Sequence, residues 1–196
     1  MKLRTIALAS SALAIALALV GCSSTTNAKG SGGGNSPTST SSVAASFNDP
    51  DIAFATQMIP HHQQAVEMAD LVLAKTGVDS RVTELATKIK AAQDPEIVTM
   101  TAWLKAWGQP APVSMHGMAM NGLMSPADMD ALKNASGPDS SKLFLQQMVQ
   151  HHQGAIDMAN EELNTGKNTD AMALAKKIVT DQTTEIATMN ILAKSF

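Results

Sequence analysis

The chain has 196 residues, with 14 basic and 17 acidic side chains, one cysteine, 3% aromatic residues and no tyrosine. It carries no basic stripe and almost no aromatic platform, so nucleic acid is not expected as a partner. The lone Cys22 allows no intrachain disulfide.

The first segment is an address. Lys2 and Arg4 precede an apolar run from Ile6 to Val20, and Leu19-Val20-Gly21-Cys22 follows. The run is too short for a convincing membrane span and reads as a secretory signal over 1–21. The Leu-Val-Gly-Cys ending resembles a bacterial lipobox, which implies cleavage before Cys22 and lipidation of its thiol. The expected localisation is extracytoplasmic, with the membrane as a partner through that lipid. Losing Lys2 and Arg4 leaves 12 basic against 17 acidic residues, or −5 with an acylated amino terminus. Residues 22–45 are mostly Ser, Thr and Gly, bury too little to offset ordering entropy, and read as a flexible tether.

The folded part is then 46–196. Asp49-Pro50 predicts an N-cap and a proline in the first helical turn. Phe54, Met58, Ala65, Ala69 and Val72 form one helical stripe, with His61 and His62 on either side of its midline and Gln63 and Glu67 pointing away. Pro60 is expected to kink this helix, and Thr76-Gly77 closes it. Asp79 or Ser80 caps a second helix reaching about Trp107. Its stripe is Val82, Leu85, Ala86, Ile89, Ile97, Met100, Trp103, Leu104 and Trp107, with Gln93 and Glu96 on the same face. Pro95 is placed to bend it, and Gly108, Pro110 and Pro112 end it.

A long connection, 108–139, holds Met115, His116, Met118, Met120 and Met124, then a short helix from Ser125-Pro126 to about Asn134 that Ser136-Gly137-Pro138 breaks. A further helix, about 140–164, carries Phe144, Met148, His151, His152, Ala155 and Met158. The last, about 169–194, carries Ile178, Gln182, Glu185 and Met189. Residues 54–69 and 144–159 are identical at nine of sixteen positions, and 84–100 and 173–189 at nine of seventeen. A two-helix unit is therefore duplicated, with repeats at 48–107 and 140–196. Each hairpin alone exposes an apolar stripe, so two pack into an all-α antiparallel four-helix bundle of approximate two-fold symmetry. Period-two alternation is missing, so no strand is expected.

Four of the five histidines lie in the repeated motif. Adjacent helical residues diverge by about 100°, so His61 and His62 are not expected to grip one ion together. Met58 lies one turn from either, and Met148 one turn from His151 or His152. Each makes a half-site to be completed from a facing helix. Glu96 and Glu185 on inward faces need partners, which a histidine supplies as a charged pair or as a ligating imidazole that the carboxylate orients. Gln93 and Gln182 add to the same polar layer. Methionines at this spacing also serve as packing, and the layer is either a metal-binding centre or a satisfied structural network. In the connection, Met115, His116, Met118, Met120 and Met124 lack helical period. Thioether and imidazole without cysteine suit copper, above all Cu(I).

Met-Ile-Pro-His-His-Gln-x-Ala, the Gln-x-x-Glu-Ile-x-x-Met second helix, the Met-rich linker and Phe-Leu-x-x-Met-x-x-His-His-x-x-Ala resemble the bacterial domain-of-unknown-function family 305 over about 48–196. That resemblance implies a ferritin-like fold, export and, from some members, copper binding. It implies His61, His62, His151, His152, Met58 and Met148 as motif residues, with 115–124 as a copper segment. The leading expectation is a tethered copper-binding protein for sequestration, tolerance or delivery, with any transfer partner and the oligomeric state left open. A metal-free surface interaction module with a structural His/Glu network is the alternative. A ferritin-like metal oxidase is weaker, because Met58 and Met148 stand where the Glu of a Glu-x-x-His motif is required. No catalytic constellation is visible, and the chain is read as a non-enzyme.

Overall fold

The structure, a computed structural model, describes residues 46–112 and 121–196. The 1–21 signal, the 22–45 tether with Cys22, and Met115, His116, Met118 and Met120 lie outside the described residues. Those described form five α-helices and no strand: α1 (Asp49–Leu73), α2 (Ser80–Ala106), α3 (Pro126–Asn134), α4 (Gly137–Thr165) and α5 (Thr169–Leu192), with a closing 3-10 turn at Ala193–Ser195. None of these helices is long and apolar enough to cross a membrane.

Local chemistry sets the helix ends. Asn48, one residue before the expected cap, starts α1 in a capping box with Asp51, and Pro50 sits in the first turn. Helix α1 runs through Pro60 and α2 through Pro95 without a break. Asp79 caps α2 and Ser125 caps α3. Helix α3 ends at Asn134, as expected before the breaker Ser136-Gly137-Pro138, and the same three residues open α4 three residues early. Ser136 is its cap, and proline's fixed φ suits a first turn whose N–H needs no helical partner. Asn168 caps α5, which ends at Leu192 rather than 194.

Within each repeat the two helices pack along their length, α1 on α2 and α4 on α5. The repeats meet chiefly through α1 against α4, while α2 and α5 touch only sparsely. Two apolar clusters result. One joins Ala65, Met68, Val72 and Ile89 to Phe144, Leu145 and Met148. The other joins Phe54, Met58, Ile59 and Met100 to Ala155, Ala159 and Ile178. The start of α1 thus packs on the end of α4 and the reverse, so these two helices are antiparallel. Helix α3 packs on α1 and α4 and buries Leu132 in the first cluster. The duplicated hairpins form the expected all-helical bundle, and a polar layer separates its two cores.

Candidate metal centre

That layer is built on His61 and His151. Each lies near the middle of its helix, on the α1/α4 seam between the apolar clusters, and each is fully buried. Their ring centroids are 3.8 Å apart with planes tilted by 42°. Neither nitrogen of either ring has a hydrogen-bond partner among the described residues. Burial, then the neighbouring His62 and His152, push His61 down from 6.5 to about 3; the Asn121 carbonyl offsets this slightly without closing a hydrogen bond to the ring. Burial also holds His151 well below its ordinary range. Both rings are therefore neutral near pH 7, and each offers a nitrogen lone pair.

His62 and His152 turn away from that seam, as the 100° step between helical neighbours requires. Each finds the carboxylate of its own hairpin: His62 Nε2 lies 2.8 Å from Glu96 and His152 Nε2 lies 2.6 Å from Glu185. Burial lowers the pKa of His62 despite Glu96. At Glu96 burial would raise the pKa, but His62 and Lys177 outweigh it. For His62 the consistent state is a neutral imidazole donating Nε2–H to Glu96. Nδ1 of His62 is then an acceptor, and Nδ1 of both rings is buried and without a partner among the described residues. A carboxylate behind an imidazole fixes its tautomer and raises its basicity toward an ion. The two halves are not equal. Lys177 on α5 reaches Glu96 at 2.9 Å, whereas Glu185 meets no lysine among the described residues.

The other sequence-selected residues fall around this layer. Met58 and Met148 are fully buried, one turn before His61 and His151, and each belongs to a different apolar cluster. The thioethers thus flank the imidazoles from opposite sides. Gln93 and Gln182 are buried, with both amide atoms of Gln93 and Oε1 of Gln182 unpartnered among the described residues. Met124 is buried in the first cluster.

Buried imidazoles with unmet nitrogens are costly, and such orphans ask for an ion or water. The donor set fits a soft cation that accepts few ligands, neutral nitrogen with sulfur nearby. Among the described residues no group of three or more His, Cys, Asp or Glu side chains is placed to hold a metal together. An ion about 2 Å from one nitrogen of each ring would set the centroids roughly 6 Å apart. The 3.8 Å contact of the tilted rings is therefore too close to hold an ion between them, and ligation requires the rings to turn.

Sequence reasoning missed a second buried polar cluster. Asp51 accepts N–H groups from Asn48, Lys167 and Asn168, and beside it stands the buried Glu162, whose oxygens meet no other donor among the described residues. Burial, then Asp51, push Glu162 up to about 8. Glu162 continues the inward stripe of α4, three residues after Ala159, and is the repeat equivalent of Val72, so periodicity was the signal that could have found it. Lys177 was also passed over. Its repeat equivalent, Lys88, makes only an exposed pair with Glu84, so the repeat carries no signal there.

The family model for the domain of unknown function DUF305 matches residues 51–193. A DUF305 protein from Streptomyces coelicolor is 34% identical, with a TM-score of 0.68 over 74% of this chain and 93% of its own. A DUF305 fragment from Deinococcus radiodurans is 30% identical, with a TM-score of 0.69 over 76% of this chain and 98% of its own. CopM in its Cu(I)-bound form is 29% identical, with a TM-score of 0.63 over 74% of this chain and 96% of its own. CopM has also been solved with Cu(II) and with Ag. No curated protein matches the chain. With the matched model spanning nearly the whole helical bundle, both repeats and the connection between them included, the chain belongs to the DUF305 family.

Proposed function

We propose that this protein is an extracytoplasmic copper-binding protein, lipid-anchored at Cys22, that sequesters the ion or hands it on without catalysis. The observation that carries this reading is the meeting of His61 and His151. They are two neutral buried imidazoles, one from each repeat, with four ring nitrogens unpartnered among the described residues. A structural role explains such a pair poorly, since apolar residues of similar volume would pack there without orphaned polar atoms. Support for copper comes from the soft donor set and from the copper- and silver-bound CopM structures. Met115, His116, Met118 and Met120, which precede Asn121 in the chain, are the further donors this reading assigns.

The test is anaerobic titration of the full chain with Cu(I) against a chromophoric chelator, beside the double variant His61→Leu/His151→Leu. The variant should lose at least about tenfold in affinity, which is 1.4 kcal/mol or more. Undiminished affinity in a folded variant would remove the site. Two closed His–Glu pairs favour a second reading, a metal-free interaction module with a structural network. It requires a melting temperature indifferent to Cu(I), where the copper reading requires a rise.

A further inference from the structure

Residues 121–124 of the long connection touch both helices that carry the histidine pair. At one end, Asn121 and Gly122 lie on α4 at Gly154, three residues after His151. Gly122 has φ +83, and a Cβ there would come within 2.7 Å of the Gly154 Cα and 3.0 Å of the Gln150 carbonyl oxygen. A Cβ on Gly154 would overlap the Asn121 carbonyl. The Asn121 side chain adds a 2.7 Å bond to Asp157. At the other end Gln64, three residues after His61, grips the backbone of Met124 with both amide atoms. Its Nε2 donates to the carbonyl at 2.9 Å, and its Oε1 accepts the N–H at 2.7 Å.

Gln64 and Gly154 occupy the same place in the two repeats. Three residues of helix rise about 4.5 Å. With α1 and α4 antiparallel, these positions lie on opposite sides of the His61–His151 pair, about 9 Å apart along the seam. The three steps from Asn121 to Met124 span at most about 10 Å, so the segment is just long enough to cross. A single strand laid over a two-fold axis meets different ends of itself at the two equivalent positions. One repeat needs an amide to clamp a backbone, and the other needs room for a backbone to touch. That accounts for the departure from repeat identity at this position. It also accounts for a glycine inside a helix, which by itself costs up to about 1 kcal/mol.

We infer that Asn121–Met124 is a clasp closed across the His61–His151 pair, and that Gln64 and Gly154 hold it there. They thereby set the rate at which a small soft cation reaches and leaves the two imidazoles. The ion part of this statement rests on the copper reading; the clasp does not.

The experiment compares the full chain with Gln64→Ala, which removes the clamp, and Gly154→Ala, which displaces the other end. In metal-free protein, acylation of His61 and His151 by diethyl pyrocarbonate is followed residue by residue, with amide hydrogen exchange at Met124. Losing the two Gln64 bonds should speed both by about tenfold or more. Ag(I) release from the loaded protein should quicken in step. Should Gly154→Ala fail to fold, the half-buried Gln64 decides alone. Unchanged acylation and exchange in folded Gln64→Ala would overturn the clasp. If Ag(I) binds none of the proteins while acylation quickens, the copper reading falls and the clasp stands.

Discussion

Glu162→Gln should abolish an alkaline loss of stability that the wild-type protein carries in its metal-free state. Glu162 is 1% exposed, and its carboxyl faces Asp51, which three backbone N–H groups already hold as an anion. Both cannot be ionised in that space, so Glu162 keeps a proton and gives it to Asp51. Its folded pKa is about 8 against an ordinary 4.5. A carboxyl raised on folding lends its full stability below 4.5 and loses it as pH climbs to 8, because the unfolded chain has already released the proton. The buried His61, His62 and His151 act in the opposite sense. His61, lowered from 6.5 to about 3, favours the fold increasingly as pH rises, with a slope that dies away about a unit above 6.5. Asp51, lowered from 3.8, has no slope there either. The difference between wild type and Glu162→Gln isolates the Glu162 effect from the histidines: about 1.2 units between pH 6.5 and 8 at 1.36 kcal/mol each, or roughly 1.6 kcal/mol lost relative to the variant. Glutamine keeps the shape and a donor for Asp51 without the titration. Urea unfolding with a chelator present, at half-unit steps from pH 6 to 8.5, should show the wild type losing stability relative to Glu162→Gln as pH rises. Parallel curves in the two proteins would refute the shared proton.

Three further outcomes follow from the geometry. His61→Leu removes a buried imidazole with two unmet nitrogens, so in metal-free protein it should leave stability unchanged or raise it by about 1–2 kcal/mol. Thermal melting should also show that the Cu(I)-induced rise is lost. Gly137→Ala should destabilise by about 1–3 kcal/mol in urea, because its Cβ would overlap the Thr76 carbonyl and force the α3–α4 junction off the end of α1. Lys177→Met should cost no more than about 1 kcal/mol, since the lysine is 52% exposed. A loss of several kcal/mol there would mean that the bridge to Glu96 holds the hairpins together.

The helices, their duplication and the inward polar residues were legible because each is a local matter. Apolar period, caps and repeat identity need no knowledge of the rest of the fold. The differences at helix ends are local as well: Ser136-Gly137-Pro138 follows the end of α3 as expected but also starts α4. That Glu96 and Glu185 would need histidine partners followed from burial alone. Which histidine each would meet did not, because it depends on how each hairpin rotates about its own axis. The contact of His61 with His151 depends on more still, the antiparallel register of two helices ninety positions apart. The proton shared by Glu162 and Asp51, and the strand pinned between Gln64 and Gly154, join segments that carry no common pattern. By itself the sequence determined what kinds of donor this protein turns inward, since periodicity assigns a residue to a face. Only the tertiary structure decided which donors meet, since a meeting depends on the distance and rotation between faces that packing alone sets.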